Sequence, residues 1–263
     1  MTDFSTHPTR RVGFYVEYEG TDFVGWQDQG PRFPTIQATL EKVLHSFFKT
    51  PINVGGSSRT DSGVHARAQV AAFSFTHPIE LSGLEKVLNS RLPDTIAVRD
   101  LHLVHDDFFP RHAVREKTYR YEIYSNRWQR PLVDKFVART THSLNVEAMI
   151  SASKRLVGTH DFKSYAASDH QGHTTIRTLK GIEVLAIDGD VIRFEVTGTG
   201  FLKQMVRNLV GSLMEVGRGH RSPDWVESVL RARDRSAAGP TAPARGLTLW
   251  HSDVNWCHGE AVD

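Results

Sequence analysis

In the first part of the chain, hydrophobic residues follow two patterns: some segments have the composition of strands, and in another the hydrophobic residues recur with the period of a helix. Residues 11–19, 68–75 and 96–104 are rich in β-branched and aromatic side chains, which is typical of strands. A helix is predicted from about Thr35, because apolar residues then recur at helical spacing. These residues are Ile36, Leu40, Val43, Leu44 and Phe47. The first half of the chain is therefore predicted to combine strands with helices.

The second half has the same mixture. Residues 117–125 alternate aromatic or apolar side chains with polar ones, which predicts a strand. The apolar segments 182–187 and 191–196 flank Asp188 and Gly189, a pair that favours a two-residue hairpin turn. A long helix is predicted from about Leu202, with one apolar stripe. Its members are Leu202, Met205, Val206, Leu209, Val210, Leu213 and Met214.

The predicted elements include hairpins rather than a strict strand–helix–strand alternation. That pattern favours an α+β fold with antiparallel or mixed sheets and flanking helices. We expect two similar halves, with an N-terminal domain over residues 1–105 and a C-terminal domain over residues 106–263.

Composition narrows the class of protein further. The 263 residues are 39% hydrophobic, enough for a buried core. Cys257 is the single cysteine, so no internal disulfide forms and a reducing compartment is favoured. The first ten residues are polar, unlike a signal peptide, and the sequence has no apolar run of about 18 residues. The cytoplasm is the expected location.

Net charge alone does not predict a nucleic-acid partner, because it is only +2. Basic residues nevertheless cluster between residues 111 and 130, with Tyr119, Tyr121, Tyr124 and Trp128 among them. The basic members are Arg111, Arg115, Lys117, Arg120, Arg127 and Arg130. Such residues can pair with phosphates while aromatic faces stack on bases. An exposed strand with a charged outer face is the alternative, and the pattern leaves both open.

Candidate chemistry concentrates in residues 57–66, where small, polar and charged side chains lie between two regular segments. Loops on a rigid scaffold often carry functional groups. Asp61 stands between Thr60 and Ser62, whose hydroxyls and amides could hold its carboxylate. An ordinary surface turn in which the aspartate caps its own backbone is the alternative interpretation.

A second candidate is Arg207 on the long predicted helix. Lys203 and Gly211 lie one turn away on the same face, off the apolar stripe. We expect Gly211 to leave space beside Arg207, where the guanidinium could form a bidentate pair with a carboxylate. A solvated helix face is the alternative.

Other chemistries find less support. Fourteen histidines are present, with acidic residues near them in 102–112, 160–173 and 258–260, yet none has metal-ligand spacing. Neither a phosphate-binding glycine loop nor a nucleophile-elbow motif occurs. No metal and no cofactor are therefore expected.

Residues 59–66, Arg-Thr-Asp-Ser-Gly-Val-His-Ala, resemble the active-site loop of the TruA family of tRNA pseudouridine synthases, which modify uridines 38 to 40 in the anticodon arm. The resemblance continues over nearly the whole chain as a series of ordered motifs. They occupy residues 18–20, 25–27, 111–112, 117–121, 158–162, 177–178, 200–202, 205–211 and 242–247. The family pattern differs at Ser58, where glycine is usual, and at residues 171–174.

The resemblance implies roles for five residues of this chain. Asp61 matches the essential aspartate, and Arg207 matches its basic partner. Tyr119 matches the tyrosine that stacks on the target base, Leu247 an apolar residue at the pocket edge, and Arg59 an arginine that helps to flip the base. The family also implies two halves around a central RNA-binding cleft, a homodimer, tRNA as substrate and no cofactor.

Two mechanisms remain open at this stage, since Asp61 could attack C1′ as a nucleophile or remove a proton from C2′. In either case Arg207 is expected to pair with Asp61, while Arg111, Arg115 and Lys117 bind the RNA. The rival hypotheses are a non-catalytic RNA-binding module, which would not need Asp61, and a hydrolase that would release uracil or cleaved RNA.

Overall fold

The computed structural model describes residues 7–169, 172, 174–187 and 190–257. These residues form two compact units. The first takes the chain up to Arg115 together with the segment from His251, and the second runs from Glu116 to Trp250. Among the described residues, no helix is both long and apolar enough to cross a membrane.

The first unit is built on an antiparallel sheet in the order β4-β1-β3, with the two-residue β2 beside β3. Its strands are β1 (Arg10–Tyr18), β2 (Gly55–Gly56), β3 (His65–Phe75) and β4 (Ile96–Val104). Its helices are α1 (Ile36–Phe48), α2 (Leu81–Arg91) and the four-residue α3 (Pro110–Ala113). The three strands and the first helix predicted from the sequence are confirmed within a few residues.

Helix α1 begins where the sequence predicts. The Thr35 hydroxyl caps it by accepting the Ala38 N–H at 3.3 Å, which satisfies one of the unpaired donors of the first turn. Ile36, Leu40 and Leu44 are buried in the core, whereas Val43 and Phe47 of the predicted stripe are only partly buried. The apolar face is thus narrower than the sequence indicates.

The second unit has an antiparallel sheet in the order β5-β9-β8-β7, and β6 runs parallel to β5. Its strands are β5 (Val114–Ser125), which begins in the first unit, β6 (Ala138–Thr140), β7 (Gly158–Asp161), β8 (Ile176–Ile187) and β9 (Val191–Gly198). Its helices are α4 (Val146–Lys154), α5 (Met205–Gly217) and α6 (Trp225–Ala232). The α+β class with antiparallel and mixed sheets is confirmed.

The predicted hairpin in the second unit is the β8–β9 pair, in which Ile187 lies opposite Val191. The two turn residues, Asp188 and Gly189, lie outside the described residues. Pairing of the two strands buries Val184, Phe194 and Val196 on one side of the sheet.

Helix α5 differs from its prediction in two ways. It begins at Met205, because Gln204 takes a left-handed conformation with φ of 60° and leaves Leu202 and Lys203 in the preceding turn. Lys203 is therefore not part of a helical face with Arg207, and its ammonium pairs with Asp169 at 2.6 Å. The expected apolar stripe is buried, and so are Asn208, Gly211 and Ser212 of α5, while Arg207 is partly buried.

The last strand, β10 (Leu247–Val254), passes from the second unit into the first. In the first unit the Ser252 hydroxyl donates to the Ala68 carbonyl at 2.7 Å, and the Trp256 ring stacks on Phe108 with centroids 5.7 Å apart. The compact units therefore differ from the expected domains 1–105 and 106–263, since residues 106–115 and the chain end pack with the first unit. These contacts join residues far apart in sequence, so no local pattern indicates them.

Candidate active site

Asp61 lies in the turn that leads into β3. The Val64 N–H donates to the Asp61 carbonyl at 3.2 Å, so a main-chain hydrogen bond closes the turn. Asp61 is partly buried, whereas Arg59 and Ser62 are exposed.

Thr60, the residue before Asp61, is held by two hydrogen bonds. Its hydroxyl lies 2.8 Å from the Tyr18 hydroxyl in a buried hydrogen bond, and its carbonyl accepts the Trp26 N–H at 3.2 Å. Gly25 makes this approach possible, because a Cβ at that position would lie 2.5 Å from the Thr60 oxygen and the backbone has φ of 99°. A side chain at position 25 would displace the loop.

Gln69 on β3 fixes the other side of the loop. Its side-chain oxygen accepts the Ser57 hydroxyl at 2.9 Å and the Ser58 N–H at 3.1 Å, and its amide nitrogen donates to the Ser58 carbonyl at 2.6 Å. Gln69 is fully buried, and these bonds satisfy its polar groups. Sequence reasoning missed Gln69, although a glutamine within the apolar run of β3 is the signal that could have found it.

Arg207 holds the segment 239–247, which we call the α5 loop. Its Nε donates to the Ala242 carbonyl at 2.8 Å, and its own carbonyl accepts the Ala242 N–H at 3.1 Å. A Cβ at Gly211 would lie only 1.7 Å from the Pro240 oxygen. The expectation of open space beside Arg207 is therefore wrong, because the α5 loop fills it.

Two further polar residues of α5 bind the same loop. The buried Asn208 side-chain oxygen accepts the Thr241 hydroxyl at 2.7 Å and Arg235 Nη2 at 3.0 Å. The Ser212 hydroxyl accepts the Gly239 N–H at 2.9 Å. The polar face of α5 is thus a docking surface for the loop, and the alternative of a solvated face is also wrong.

The α5 loop ends at Leu247, which is buried at the start of β10. Tyr121 on β5 supports this end, since its hydroxyl donates to the Pro243 carbonyl at 3.0 Å. Burial raises the pKa of the Tyr121 phenol, and the positive charges of Arg207 and Arg245 act in the opposite direction. Tyr121 is therefore a neutral donor that ties β5 to the loop, a role that the sequence did not reveal.

Tyr119 lies two residues before Tyr121 and so shares its face of β5. Its side chain is 8% exposed, and its ring packs edge to face with Phe201 at a centroid distance of 4.9 Å. This packing fixes the plane of the Tyr119 ring.

The basic segment divides between the two units. Arg111 and Arg115 are exposed in the first unit, whereas Lys117 is buried in the second. Tyr121 and Tyr124 are fully buried and leave no face for a base, so base stacking on these two rings is contradicted, while Trp128 is 71% exposed. Along β5, Arg120 lies on the less buried face between Tyr119 and Tyr121, while Lys117 is buried on the same face as these two tyrosines.

No group of three or more histidine, cysteine, aspartate or glutamate side chains in the described part of the chain could hold a metal ion. His170, His173, His258 and Glu260 lie outside it. The remaining histidines include His102, whose ring packs against Trp256 at 4.7 Å.

The predicted site residues thus fall in both units. Asp61, Arg59, Arg111 and Arg115 belong to the first, and the others, Tyr119, Lys117, Arg207 and Leu247, belong to the second. Within the second unit, Arg207 binds the loop that leads to Leu247. The ion pair between Asp61 and Arg207 stays a prediction.

The chain matches the tRNA pseudouridine synthase family over residues 15–109 and 152–254, which include both loops described above. It therefore belongs to this family of RNA-modifying enzymes. It is 43% identical to tRNA pseudouridine synthase A of Myxococcus xanthus over 244 residues, covering 91% of this chain and 90% of the relative. It is 40% identical to the enzyme of the same name from an Exiguobacterium species, covering 97% and 100% of the two chains.

Proposed function

We propose that this protein isomerises uridine to pseudouridine at positions 38 to 40 of the tRNA anticodon arm, with Asp61 as the catalytic residue. Family membership supports the reaction, and the relatives named tRNA pseudouridine synthase A support the substrate. The observation that carries the assignment of Asp61 is the position of its turn, which Tyr18 and Gln69 hold on both sides through buried hydrogen bonds.

The reaction breaks the C1′–N1 bond of uridine, rotates the uracil, and joins C5 to C1′. A paired or stacked base cannot turn in this way, so the nucleotide must leave the stack. Asp61 then acts as an ionised carboxylate, either as nucleophile at C1′ or as base at C2′. The proton on C5 is released to solvent as the C5–C6 double bond is restored, and N1 takes up a proton in place of its bond to C1′, so the product is an isomer of uridine.

The remaining residues have supporting roles in this proposal. Arg207 provides a positive charge that keeps Asp61 ionised. Tyr119 stacks on the base, Leu247 borders the pocket, and Arg59 helps to flip the base. Arg111 and Arg115 bind phosphates, whereas Lys117, which the sequence groups with them, is buried and is assigned no phosphate.

The chemistry has no redox step and transfers no group to a second molecule, so it needs no cofactor. We also propose that the enzyme works as a homodimer in the cytoplasm, with the active site in a cleft between similar halves. These proposals rest on the family resemblance.

The test is release of tritium from tRNA that carries C5-tritiated uridine, in the presence of a chelator. Wild-type protein should release tritium, and nucleotide mapping should place pseudouridine at positions 38 to 40. Asp61→Asn keeps the size of the side chain and should release none while binding tRNA normally, because phosphates supply most of the affinity. Binding without release by the wild type would instead favour the non-catalytic RNA-binding module, and free uracil would favour a hydrolase.

A further inference from the structure

A groove of about 970 Å³ opens in the first unit between the ends of α1 and α2. Its lining includes Lys42, Ser46, Phe47 and Lys49 from α1 and its cap, and Arg91 and Leu92 from the end of α2. The three basic side chains are exposed, and no acidic residue lines the groove. The groove is therefore a concave surface of one charge sign.

An aromatic ring forms part of this surface. The Arg91 guanidinium lies over the Phe47 ring, 5.2 Å from its centroid. Stacked guanidinium and aromatic groups offer flat faces to a base or ribose, while the remaining charges meet phosphates. The combination matches nucleic acid better than it matches a simple anion, which would not use the ring.

Helix termini do not account for all three charges. Arg91 and Lys49 lie at helix C-termini, where a positive charge offsets the helix dipole. Lys42 lies in the middle of α1 and has no such role. The neighbouring carboxylate of Glu41 is engaged by the Val54 N–H at 2.9 Å and by Gln37.

Helix α1 links the groove to the Asp61 turn. At its first residue, the Ile36 N–H donates to the carbonyl of Gly25, the glycine that packs against Thr60. At 1.5 Å per residue, the groove residues Lys42 and Lys49 lie about 9 and 20 Å along the helix from that end. Nucleic-acid strands carry a phosphate about every 3.4 Å along the axis, so a short stem spans these distances.

We propose that this groove binds the phosphodiester backbone of tRNA, away from the Asp61 turn along helix α1. The inference rests on the proposed function, because it takes tRNA as the ligand. Lys42, Lys49 and Arg91 pair with phosphates, and Phe47 packs against a ribose or base.

The first test removes two groove charges with Lys42→Gln and Lys49→Asn. Asparagine tolerates the left-handed conformation at position 49, where φ is 60°. By fluorescence anisotropy the Kd for an unmodified tRNA transcript should rise about tenfold, and the slope of log Kd against log salt should fall by about two. The matched control, Lys154→Gln with Arg221→Gln, removes two exposed charges elsewhere and should change neither quantity.

The second test locates the RNA directly. In a Cys257→Ser background, Ser46→Cys is labelled with a photo-crosslinker and should crosslink tRNA, whereas the exposed Ser222→Cys should not. Equal crosslinking at the two positions, or a groove variant with wild-type Kd and salt slope, would overturn the inference. Tritium release by the wild type is measured in the same preparations, so failure of the groove and failure of the proposed reaction are separate results.

Discussion

The Asp61 turn and the α5 loop are both held rigidly, but by different kinds of contact. Neutral side chains, Tyr18 and Gln69, support the first, together with close backbone packing at Gly25. The second is supported by neutral side chains, Asn208, Ser212 and Tyr121, and also by a charged one, Arg207, through its Nε. Support can therefore be removed from the Asp61 turn without altering any proposed catalytic group, whereas Arg207 combines support and proposed chemistry in one residue.

The largest effect is expected from Arg207. Arg207→Ala removes the proposed charge partner of Asp61 and the bond to Ala242, so kcat should fall by about two orders of magnitude or more. Arg207→Lys should be intermediate, since an ammonium keeps the charge but not the planar fork. Single-turnover tritium release, with tRNA binding measured separately, distinguishes these effects. Wild-type kcat in Arg207→Ala would exclude Arg207 from the site.

Substitution of Gly25 and Gly211, which each pack against a backbone carbonyl, tests the support of the two loops without changing charge. Gly25→Ala and Gly211→Ala should each lower the free energy of unfolding by about 2–4 kcal/mol, because the added Cβ overlaps a backbone carbonyl. Gly211→Ala should also lower kcat while Arg207 remains, which isolates the support role of the α5 loop.

Gly181→Ala is the matched control for these two variants, since a Cβ there meets nothing within 4 Å. Urea unfolding of the three variants measures the difference. Wild-type stability in Gly211→Ala would show that the loop adapts more easily than the contact with Pro240 indicates.

Smaller effects are expected from the neutral supports. Gln69→Leu leaves polar groups of Ser57 and Ser58 unpaired in a buried site, so it should destabilise the protein by about 2–3 kcal/mol and lower kcat. Tyr121→Phe removes one hydrogen bond to Pro243 and should cost about 1 kcal/mol. Urea midpoints give both values, and the reverse order would show that the Tyr121 bond contributes more to stability than the Gln69 bonds do.

The smallest effect is expected on tRNA binding, from substitution of the exposed Arg111 and Arg115 and the buried Lys117. Arg111→Gln and Arg115→Gln should each weaken tRNA binding a few-fold and lower the salt slope by about one. Lys117→Gln should leave the slope unchanged, because Lys117 is buried. Anisotropy titrations over a range of salt concentrations make the comparison. An equal change in slope for all three would return Lys117 to the RNA surface.

Local periodicity was sufficient for the longer strands and helices of the first 125 residues and for the β8–β9 hairpin, but it did not predict β2, β6, β7 or β10. Strand β4 and the start of α1 follow directly from alternating or helical spacing, because the side chains that define those patterns pack within the same unit. The same alternation in residues 117–125 already implied that Tyr121 faces inward. The composition of the segment alone does not distinguish inward from outward aromatic residues.

The surroundings of the site could be predicted only in part. The Asp61 loop was found because its residues are contiguous and match a family motif. The environment of Arg207 was not, since Ala242 lies 35 residues away and nothing near Arg207 in sequence indicates that a loop returns to it. The same holds for Gln69, whose partners are 11 and 12 residues distant across a turn.

Strand β10 has a consequence for how the protein is made. The first unit is complete only when residues after His251 arrive, because Trp256 and Val254 pack on the cluster that contains Val70 and Phe108. At about 5–20 residues per second, a ribosome needs several seconds or more to synthesise the intervening second unit. During that interval the nascent first unit exposes an apolar surface that chaperones can bind. The ribosome must therefore synthesise the chain as far as Trp256 before the unit that carries Asp61 can close.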